Sequence, residues 1–220
     1  GQTVKARIVK KRSGFLEARV LEVLTKSNNE VDYPCNHFIH CGGCSFQNLD
    51  YNKQLEQKER QVKELFVRLG NFKNVRVNPI IGCEEIYNYR NKMEFTFGNN
   101  EWIPDAKPEN QIESFSLGLH VPKRFDKILN VSNCDIQSQQ ANDIFKKIKL
   151  ACKKANLAPY NVKSHKGFLK FLVIRYSFYN NQIMINLVTS YKDTSVLKPI
   201  VSGIINEFPN ITSFINSITA

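Results

Sequence analysis

A cluster of cysteines constrains the fold of this chain more than any other feature of its sequence. Three of the six cysteines in the 220 residues, Cys35, Cys41 and Cys44, fall within the segment CNHFIHCGGC. Thiolates two residues apart can hold one metal ion or two corners of one cluster, because the loop between them folds back. The two glycines of this loop favour left-handed dihedrals and bring backbone N–H groups close to sulfur. The spacing therefore predicts a metal centre that needs a fourth ligand.

The fourth ligand can come from the same segment or from a distant cysteine. Cys152 lies in an amphipathic helical pattern, which is typical of a small buried core residue. Cys83 is followed by two carboxylates that would repel a thiolate. Cys134 lies in a loop between a strand pattern and a helix pattern, so it ranks first, with His37 and His40 second. Ligation by cysteine alone favours a [4Fe–4S] cluster, whereas mixed cysteine and histidine ligation favours zinc.

The charge balance points to a polyanionic partner. Lysine and arginine number 31 against 20 acidic residues, which gives a net charge of +11 and an isoelectric point near 9.4. Such an excess favours nucleic acid, and a solvated basic surface is the alternative. The hydrophobic content of 42% is enough for a buried core.

The sequence shows no sign of a membrane or of export. It has no apolar run of about 18 residues, and its first residues lack the apolar stretch of a signal peptide. We therefore expect a cytoplasmic protein without a membrane partner, in a reducing compartment where cysteine clusters indicate metal rather than disulfides. No coiled-coil pattern or long exposed apolar edge is present, so we expect a monomer.

The hydrophobic patterns predict an α+β fold. A basic hairpin at 3–24 is too small to stand alone, so it indicates part of a small β-barrel. Helical spacing predicts helices from Asp50 to Leu69 and over 137–155 and 193–208. Apolar and alternating runs predict the other strands, at 75–81, 89–97, 112–121, 125–131, 168–179, 182–189 and 211–218. These strands predict a central antiparallel sheet covered by two to three helices.

Four segments in order resemble one enzyme family. These are the C-x5-C-G-G-C loop, the helix after Asp50, YRNKMEFTFG at 89–98 and LGLHVPKRFDKILNVSNC at 117–134. Together they resemble the S-adenosylmethionine-dependent RNA uracil-5-methyltransferases, and most of all those that act on 23S ribosomal RNA. Members of that kind carry an N-terminal TRAM β-barrel, which is OB-like, then a central domain with a [4Fe–4S] cluster and a C-terminal Rossmann-like methyltransferase domain.

The resemblance implies roles for particular residues. It makes Cys35, Cys41, Cys44 and Cys134 the cluster ligands and leaves both histidines of the loop as non-ligands. Methyl transfer moves no net electrons, so we expect the cluster to tie the two loops together and position RNA. Residues 1–30 would be the C-terminal part of the TRAM-like barrel, and residues 31–220 the iron–sulfur and RNA-recognition domain.

The chain departs from the family in lacking the motifs of chemistry. It has no G-x-G-x-x-G segment and no cysteine with an obvious base beside it, so we predict no catalytic residue in this chain. The resemblance places the domain that binds S-adenosylmethionine beyond residue 220. The first and last residues of the chain lie in strand patterns, which predicts a fragment of a longer protein.

RNA is the predicted partner, with ribosomal RNA preferred over tRNA because tRNA-directed bacterial members mostly lack the barrel and the cluster. Single-stranded RNA is held by basic contacts and aromatic stacking. The candidate RNA-binding residues are Lys10, Lys11, Arg12, Arg90, Lys92, Lys123, Arg124, Phe125, His165, Lys166 and Phe168. The alternatives are a tRNA-directed enzyme, a stand-alone zinc-containing RNA-binding module and an iron–sulfur electron carrier.

Overall fold

The computed structural model describes residues 1–103 and 113–219. The chain divides into two compact units. Unit 1 comprises residues 1–33 and 46–83, and unit 2 comprises residues 34–45 and 84–220. The cysteine loop therefore belongs to unit 2, although residues of unit 1 flank it on both sides. The domain division expected from the sequence, at residue 30, stays a prediction.

Unit 1 contains a two-stranded hairpin and one helix. Strands β1 (Thr3–Arg12) and β2 (Phe15–Thr25) pair antiparallel across a turn in which Gly14 has a φ of 87°. Helix α1 spans Tyr51–Arg68, and the side chain of Asp50 caps it by accepting from the backbone N–H of Lys53 at 3.1 Å. The hairpin and the helix are confirmed. Within the described residues the hairpin forms a sheet of its own, so the barrel stays a prediction.

The strand predicted at 75–81 is wrong. The structure gives these residues no regular secondary structure. Pro79 has no N–H to donate to a strand ladder, and the backbone N–H of Ile80 donates to the carboxylate of Glu59 at 3.3 Å. This apolar segment is therefore hydrogen-bonded to a side chain of α1 instead of joining a sheet.

Unit 2 is built on a six-stranded sheet whose strands lie in the order β5-β4-β3-β6-β7-β8. Its elements are β3 (Lys92–Asn100), β4 (Glu113–Val121), β5 (Arg124–Asn130), α2 (Gln139–Lys154), β6 (Leu169–Ser177), β7 (Gln182–Thr189), α3 (Thr194–Glu207) and β8 (Ile211–Ile218). The α+β class with three helices is confirmed. Residue 112, the first residue of the strand predicted at 112–121, lies outside the described residues.

The sheet is mixed, which corrects the expected antiparallel arrangement. All neighbouring strands pair antiparallel except β7 and β8, which are parallel. A parallel pair cannot be joined by a tight turn and needs a crossover, and α3 supplies it. The hydrophobic pattern of the last strand predicts that the strand exists but not its direction.

One face of the sheet packs against the helices to form the core of unit 2. Met93, Phe95 and Phe97 alternate along β3 and are buried. The ring of Phe95 lies 4.3 Å, centroid to centroid, from the ring of Phe145 on α2. Cys152, on the same helix, is fully buried in this core, which confirms its assignment as a packing residue.

Side-chain caps begin the two helices of unit 2. The hydroxyl of Ser138 accepts from the backbone N–H of Ala141 at 3.2 Å, and the carboxylate of Asp193 accepts from that of Val196 at 3.3 Å. Each cap satisfies a donor that the first helical turn leaves without an intrahelical partner. None of the described helices combines the length and the apolar character needed to cross a membrane.

Candidate functional site

The cysteine loop lies against strand β4 through its glycines. The backbone N–H of Gly42 donates to the carbonyl of His120 at 3.0 Å, and a Cβ at Gly42 would lie 2.6 Å from that oxygen. At Gly43, a Cβ would lie 3.0 Å from a side-chain carbon of Leu119. Neither glycine has a positive φ, so the expected left-handed dihedrals are wrong. Glycine is needed at position 42 because the two backbones approach so closely there.

The fold brings the four predicted ligands into one neighbourhood of unit 2. Cys35, Cys41 and Cys134 are buried, Cys44 is half-buried, and all four are free thiols. Burial raises the pKa of the first three thiols, and negative charge on the neighbouring sulfurs raises it further, to about 11 for Cys134. Thiolates in this group would repel one another, so they would form only together with a cation that offsets their charge.

Backbone N–H groups point at three of these sulfurs. The donor to Cys41 is the N–H of Gly43, at 3.4 Å. The backbone N–H groups of His37 and Ile136 act in the same way and offset part of the rise in the pKa of Cys35 and Cys134 that burial causes. In each case the donor lies two residues after the cysteine. Hydrogen bonds of this kind stabilise the thiolate, which is the form that binds metal.

His37 joins the two cysteine-bearing loops. The backbone N–H of Ser132 donates to its Nε2 at 3.1 Å, and the Ser132 hydroxyl lies 2.9 Å from the same atom. Because an amide N–H can only donate, Nε2 is the acceptor, and burial lowers the pKa of the imidazole and keeps it neutral. The other histidine of the loop, His40, lies with its ring 5.3 Å from that of Trp102. Both histidines therefore have partners other than a metal.

Asn142 is the residue of this site that sequence reasoning missed. It is buried on α2, and its side chain accepts from the backbone N–H of Cys134 at 2.8 Å and donates to the Cys134 carbonyl at 3.0 Å. Its Oδ1 also accepts from the side-chain amide of Gln137 at 2.7 Å. The signal was present, because Asn142 is a polar residue one turn before Phe145 on the apolar stripe of the helix.

Throughout residues 1–103 and 113–219, no group of three or more histidine, cysteine, aspartate or glutamate side chains could hold a metal ion. A zinc ion would need four donor atoms at about 2.0–2.3 Å from one point. A [4Fe–4S] cluster needs a different arrangement, with one thiolate on each of four separate irons. The donor chemistry of the four thiols suits a cluster, and the cluster itself stays a proposal.

The basic residues predicted at the hairpin tip lie in unit 1. Lys10, Lys11 and Arg12 end strand β1 and are exposed. The guanidinium of Arg12 forms an ion pair with Glu17 at 3.0 Å. Of these three residues, the two lysines are therefore better placed to contact RNA.

Four further basic candidates lie in unit 2, and three of them have partners. The Nε of Arg90 donates to the carbonyl of Lys92 at 3.0 Å, and the Lys92 ammonium lies 3.5 Å from the carboxylate of Glu94. Arg124 pairs with Asp126 at 3.2 Å, which lowers the pKa of that carboxyl. The fourth, Lys123, is exposed in the turn between β4 and β5 with a φ of 63°. The side chain of Phe125 lies outside what the structure describes.

The last group of candidates is divided between the surface and the core. His165 and Lys166 are exposed, and the Nδ1 of His165 lies 3.1 Å from the hydroxyl of Tyr160. Phe168 is 4% exposed, and its ring packs 4.8 Å from that of Tyr191. A buried ring has no free face on which a base could stack, so Phe168 is corrected from an RNA contact to a core residue.

No protein-family model matches the chain. An uncharacterised RNA methyltransferase of Chlorobaculum tepidum is 32% identical, over 90% of this chain and 42% of that protein. One of Staphylococcus aureus is 31% identical over 96% and 44%, and one of Porphyromonas gingivalis is 30% identical over 98% and 48%. The chain is similar to bacterial RNA methyltransferases. It spans less than half of the length of these relatives.

A solved structure supports the fold. The crystal structure of the tRNA (uracil-54, C5)-methyltransferase of Pyrococcus abyssi, in complex with S-adenosyl-L-homocysteine, matches with a TM-score of 0.57. The two sequences are 21% identical, and the match covers 89% of this chain and 40% of that one. At this identity the likeness extends to the fold and not to the substrate.

Proposed function

We propose that this chain is the RNA-recognition part of an enzyme that methylates C5 of uracil in RNA with S-adenosylmethionine. The observation that carries the proposal is the meeting of Cys35, Cys41, Cys44 and Cys134 in unit 2, although Cys134 is about ninety residues from the others. Similarity to RNA methyltransferases over at least 90% of the chain supports it.

The four cysteines would hold a [4Fe–4S] cluster. When bound, the cluster would supply a covalent tie between the cysteine loop and the Cys134 loop, and methyl transfer requires no electrons from it. The chain prepares that tie through the His37–Ser132 contact and through the two hydrogen bonds from Asn142 to the Cys134 backbone. The His37–Ser132 contact joins the two loops, and the Asn142 hydrogen bonds fix the Cys134 loop to α2. Both restrict the loops before a cluster binds, which lowers the entropic penalty of closing the site.

The chain's own part in the reaction is to bind RNA. We assign no catalytic residue to residues 1–220, and we place the binding of S-adenosylmethionine in another part of the full protein. Exposed basic residues such as Lys123 and Lys166 would contact phosphate, which supplies affinity without reading sequence. An enzyme that acts on a base must also hold the strand around the extruded nucleotide.

Ribosomal RNA is the preferred substrate, because the predicted barrel and cluster together resemble the 23S ribosomal RNA enzymes. The structural neighbour from Pyrococcus abyssi is named for action on tRNA, which makes tRNA the second candidate. A methylation assay separates the two candidate substrates. The full protein is incubated with S-adenosylmethionine that carries a labelled methyl group, and with unmodified 23S ribosomal RNA or tRNA. We expect 5-methyluridine in the ribosomal RNA. Label in tRNA alone would make tRNA the preferred substrate. Label in neither RNA would count against the proposed methyltransferase function.

The metal content tests the centre directly. Iron, zinc and acid-labile sulfide should be assayed, with a visible spectrum, on protein purified without oxygen. We expect iron and sulfide in equal amounts, at about four of each per chain for a [4Fe–4S] cluster. Zinc without sulfide would instead support the zinc-containing RNA-binding module. Iron and sulfide without any methyl transfer would instead support the alternative of an iron–sulfur electron carrier.

A substitution at Cys134 tests whether the fourth ligand is correct. We expect Cys134→Ser to lose the visible absorption and most of the iron, since a serine hydroxyl is a poor substitute for a thiolate ligand. Cys83→Ser is the matched control, because Cys83 is an exposed thiol of unit 1. Equal iron and equal colour in both variants would exclude Cys134 as a ligand.

A further inference from the structure

Unit 2 contains a pocket of about 360 Å³ on the face of the sheet that points away from the core. Its floor includes Thr96 and Phe171, which alternate with the buried residues Phe95 and Leu172 on strands β3 and β6. The volume lies at the lower end of the range of about 300–1,000 Å³ for small-ligand sites. A single planar ring system with its substituents would fill it.

The pocket contains a buried cation. Lys170 is only 8% exposed, and its Nζ donates to the carbonyl of Thr219 at 2.7 Å. The same Nζ lies 4.2 Å from the centroid of the Tyr160 ring. An ammonium group carries three donors, and the described residues accept from one of them. Two donors are therefore available to an acceptor that enters the pocket.

Aromatic side chains form part of the lining. Tyr160 is held rigidly, because its backbone N–H donates to the carbonyl of Leu169 at 2.7 Å and its hydroxyl lies 3.1 Å from Nδ1 of His165. Gly167 allows this arrangement, since its φ is 113° and a Cβ there would lie 2.1 Å from the carbonyl oxygen of Pro159. The Tyr160 ring and the side chain of Phe171 give the pocket an apolar surface suited to a planar ring.

Two segments that are distant in sequence contribute charged residues to the pocket lining. Asp126 and Lys127 come from strand β5, just after the turn with Lys123, and Lys163 comes from the turn that carries His165. The lining of this aromatic pocket therefore includes two lysines from segments that are distant in sequence, beside the carboxylate of Asp126. A ligand that is flat in the centre and anionic at its edges matches this arrangement.

We propose that this pocket binds an extruded base of a single-stranded RNA segment, with a base carbonyl accepting from Lys170 and the adjacent phosphates lying near Lys127 and Lys163. The inference rests on the proposed function and adds to it a recognition subsite. The base it takes is one with a carbonyl on its edge, such as uracil, in preference to adenine. The bound base belongs to an RNA strand rather than to a free nucleotide, because the net charge of +11 is more than one phosphate group would need.

Binding to RNA with and without bases tests the pocket. The probes are an oligouridylate of about twelve nucleotides, an oligoadenylate and an abasic ribose-phosphate oligomer of the same length. With the full protein, we expect Tyr160→Leu to weaken binding of oligouridylate about tenfold, as the loss of one base–aromatic contact does. Binding of the abasic oligomer should not change, because its phosphates do not use the ring.

Lys170→Met tests the carbonyl contact. The wild-type protein should prefer oligouridylate to oligoadenylate, and this variant should bind the two alike. Lys198→Met is the matched control, since Lys198 is an exposed lysine on α3 outside the pocket lining, and the same preference should persist. Thermal unfolding shows whether Lys170→Met is folded. If it is not folded, the binding measurements on Tyr160→Leu alone test the proposal.

Each other outcome rejects the pocket. Equal effects of Tyr160→Leu on oligouridylate and on the abasic oligomer, or no effect on either, would exclude a base contact. Uridine monophosphate bound as tightly as oligouridylate would make the ligand a free nucleotide. If the wild-type protein bound no RNA, the proposed function would fail together with the pocket. If it bound RNA and the pocket variants were unaffected, only the pocket would fail.

Discussion

At the scale of single residues, Gly42 determines whether the cysteine loop can lie against β4. A Cβ at this position would lie 2.6 Å from the carbonyl oxygen of His120, which is backbone and cannot rotate away. We expect Gly42→Ala to lower the free energy of unfolding by about 1–3 kcal/mol, the usual range for overpacking, and to reduce bound iron. Urea unfolding followed by circular dichroism measures the first effect.

Gly203 provides the control for this substitution. It is exposed on α3, and no atom would lie within 4 Å of an added Cβ. Since alanine favours a helix more than glycine does, Gly203→Ala should raise the free energy of unfolding by about 0.5–1 kcal/mol. Destabilisation of the same size in both variants would show that the close approach at Gly42 is not the cause.

At the scale of elements, helix α2 holds the loop that carries Cys134. Asn142→Ala would leave the backbone N–H of Cys134 and the side-chain amide of Gln137 without their partner, whereas the Cys134 carbonyl would keep the backbone N–H of Gln137 at 3.3 Å. Buried groups left unpaired in this way each destabilise a fold by about 1–3 kcal/mol. We therefore expect clear destabilisation in urea and a lower iron content, because the loop loses its fixed position.

Asp143→Ala is the neighbouring control for α2. Asp143 is exposed, and its carboxylate accepts from the side chain of Gln139 at 2.9 Å on the outer surface of the helix. Surface changes of this type alter stability by about 0.5 kcal/mol or less. An iron content that falls equally in Asn142→Ala and Asp143→Ala would refute a special role of Asn142.

Most elements could be predicted because their signals are local. The cap at Asp50 and the alternation along β3 appear directly in the sequence. The direction of β8 could not be predicted, since a strand has the same alternation in parallel and antiparallel sheets. The same limit applies to the candidate site. Its four cysteines could be named from their spacing and from the family resemblance. Asn142 and Lys170 could not, because they act through contacts between residues that are distant in sequence.

At the scale of the whole molecule, the charge of +11 is spread over two units, and some of the cations are already paired with carboxylates in the described residues. Paired cations such as Arg12 and Arg124 already have a carboxylate within 4 Å, so their attraction for phosphate is partly cancelled. Exposed lysines in turns keep their full charge. Net charge alone therefore does not identify the RNA-binding surface, and the position of the unpaired lysines must be tested.

Lys123→Ala and Lys198→Ala remove one positive charge each, from the β4–β5 turn and from α3 respectively. Each phosphate contact on single-stranded RNA contributes about 0.7 to the slope of log affinity against log salt concentration. We expect Lys123→Ala to reduce that slope by about this amount and Lys198→Ala to leave it unchanged. Titrations of oligouridylate at several salt concentrations measure both slopes. Equal slopes would mean that the turn makes no phosphate contact and that RNA responds only to the total charge of the protein.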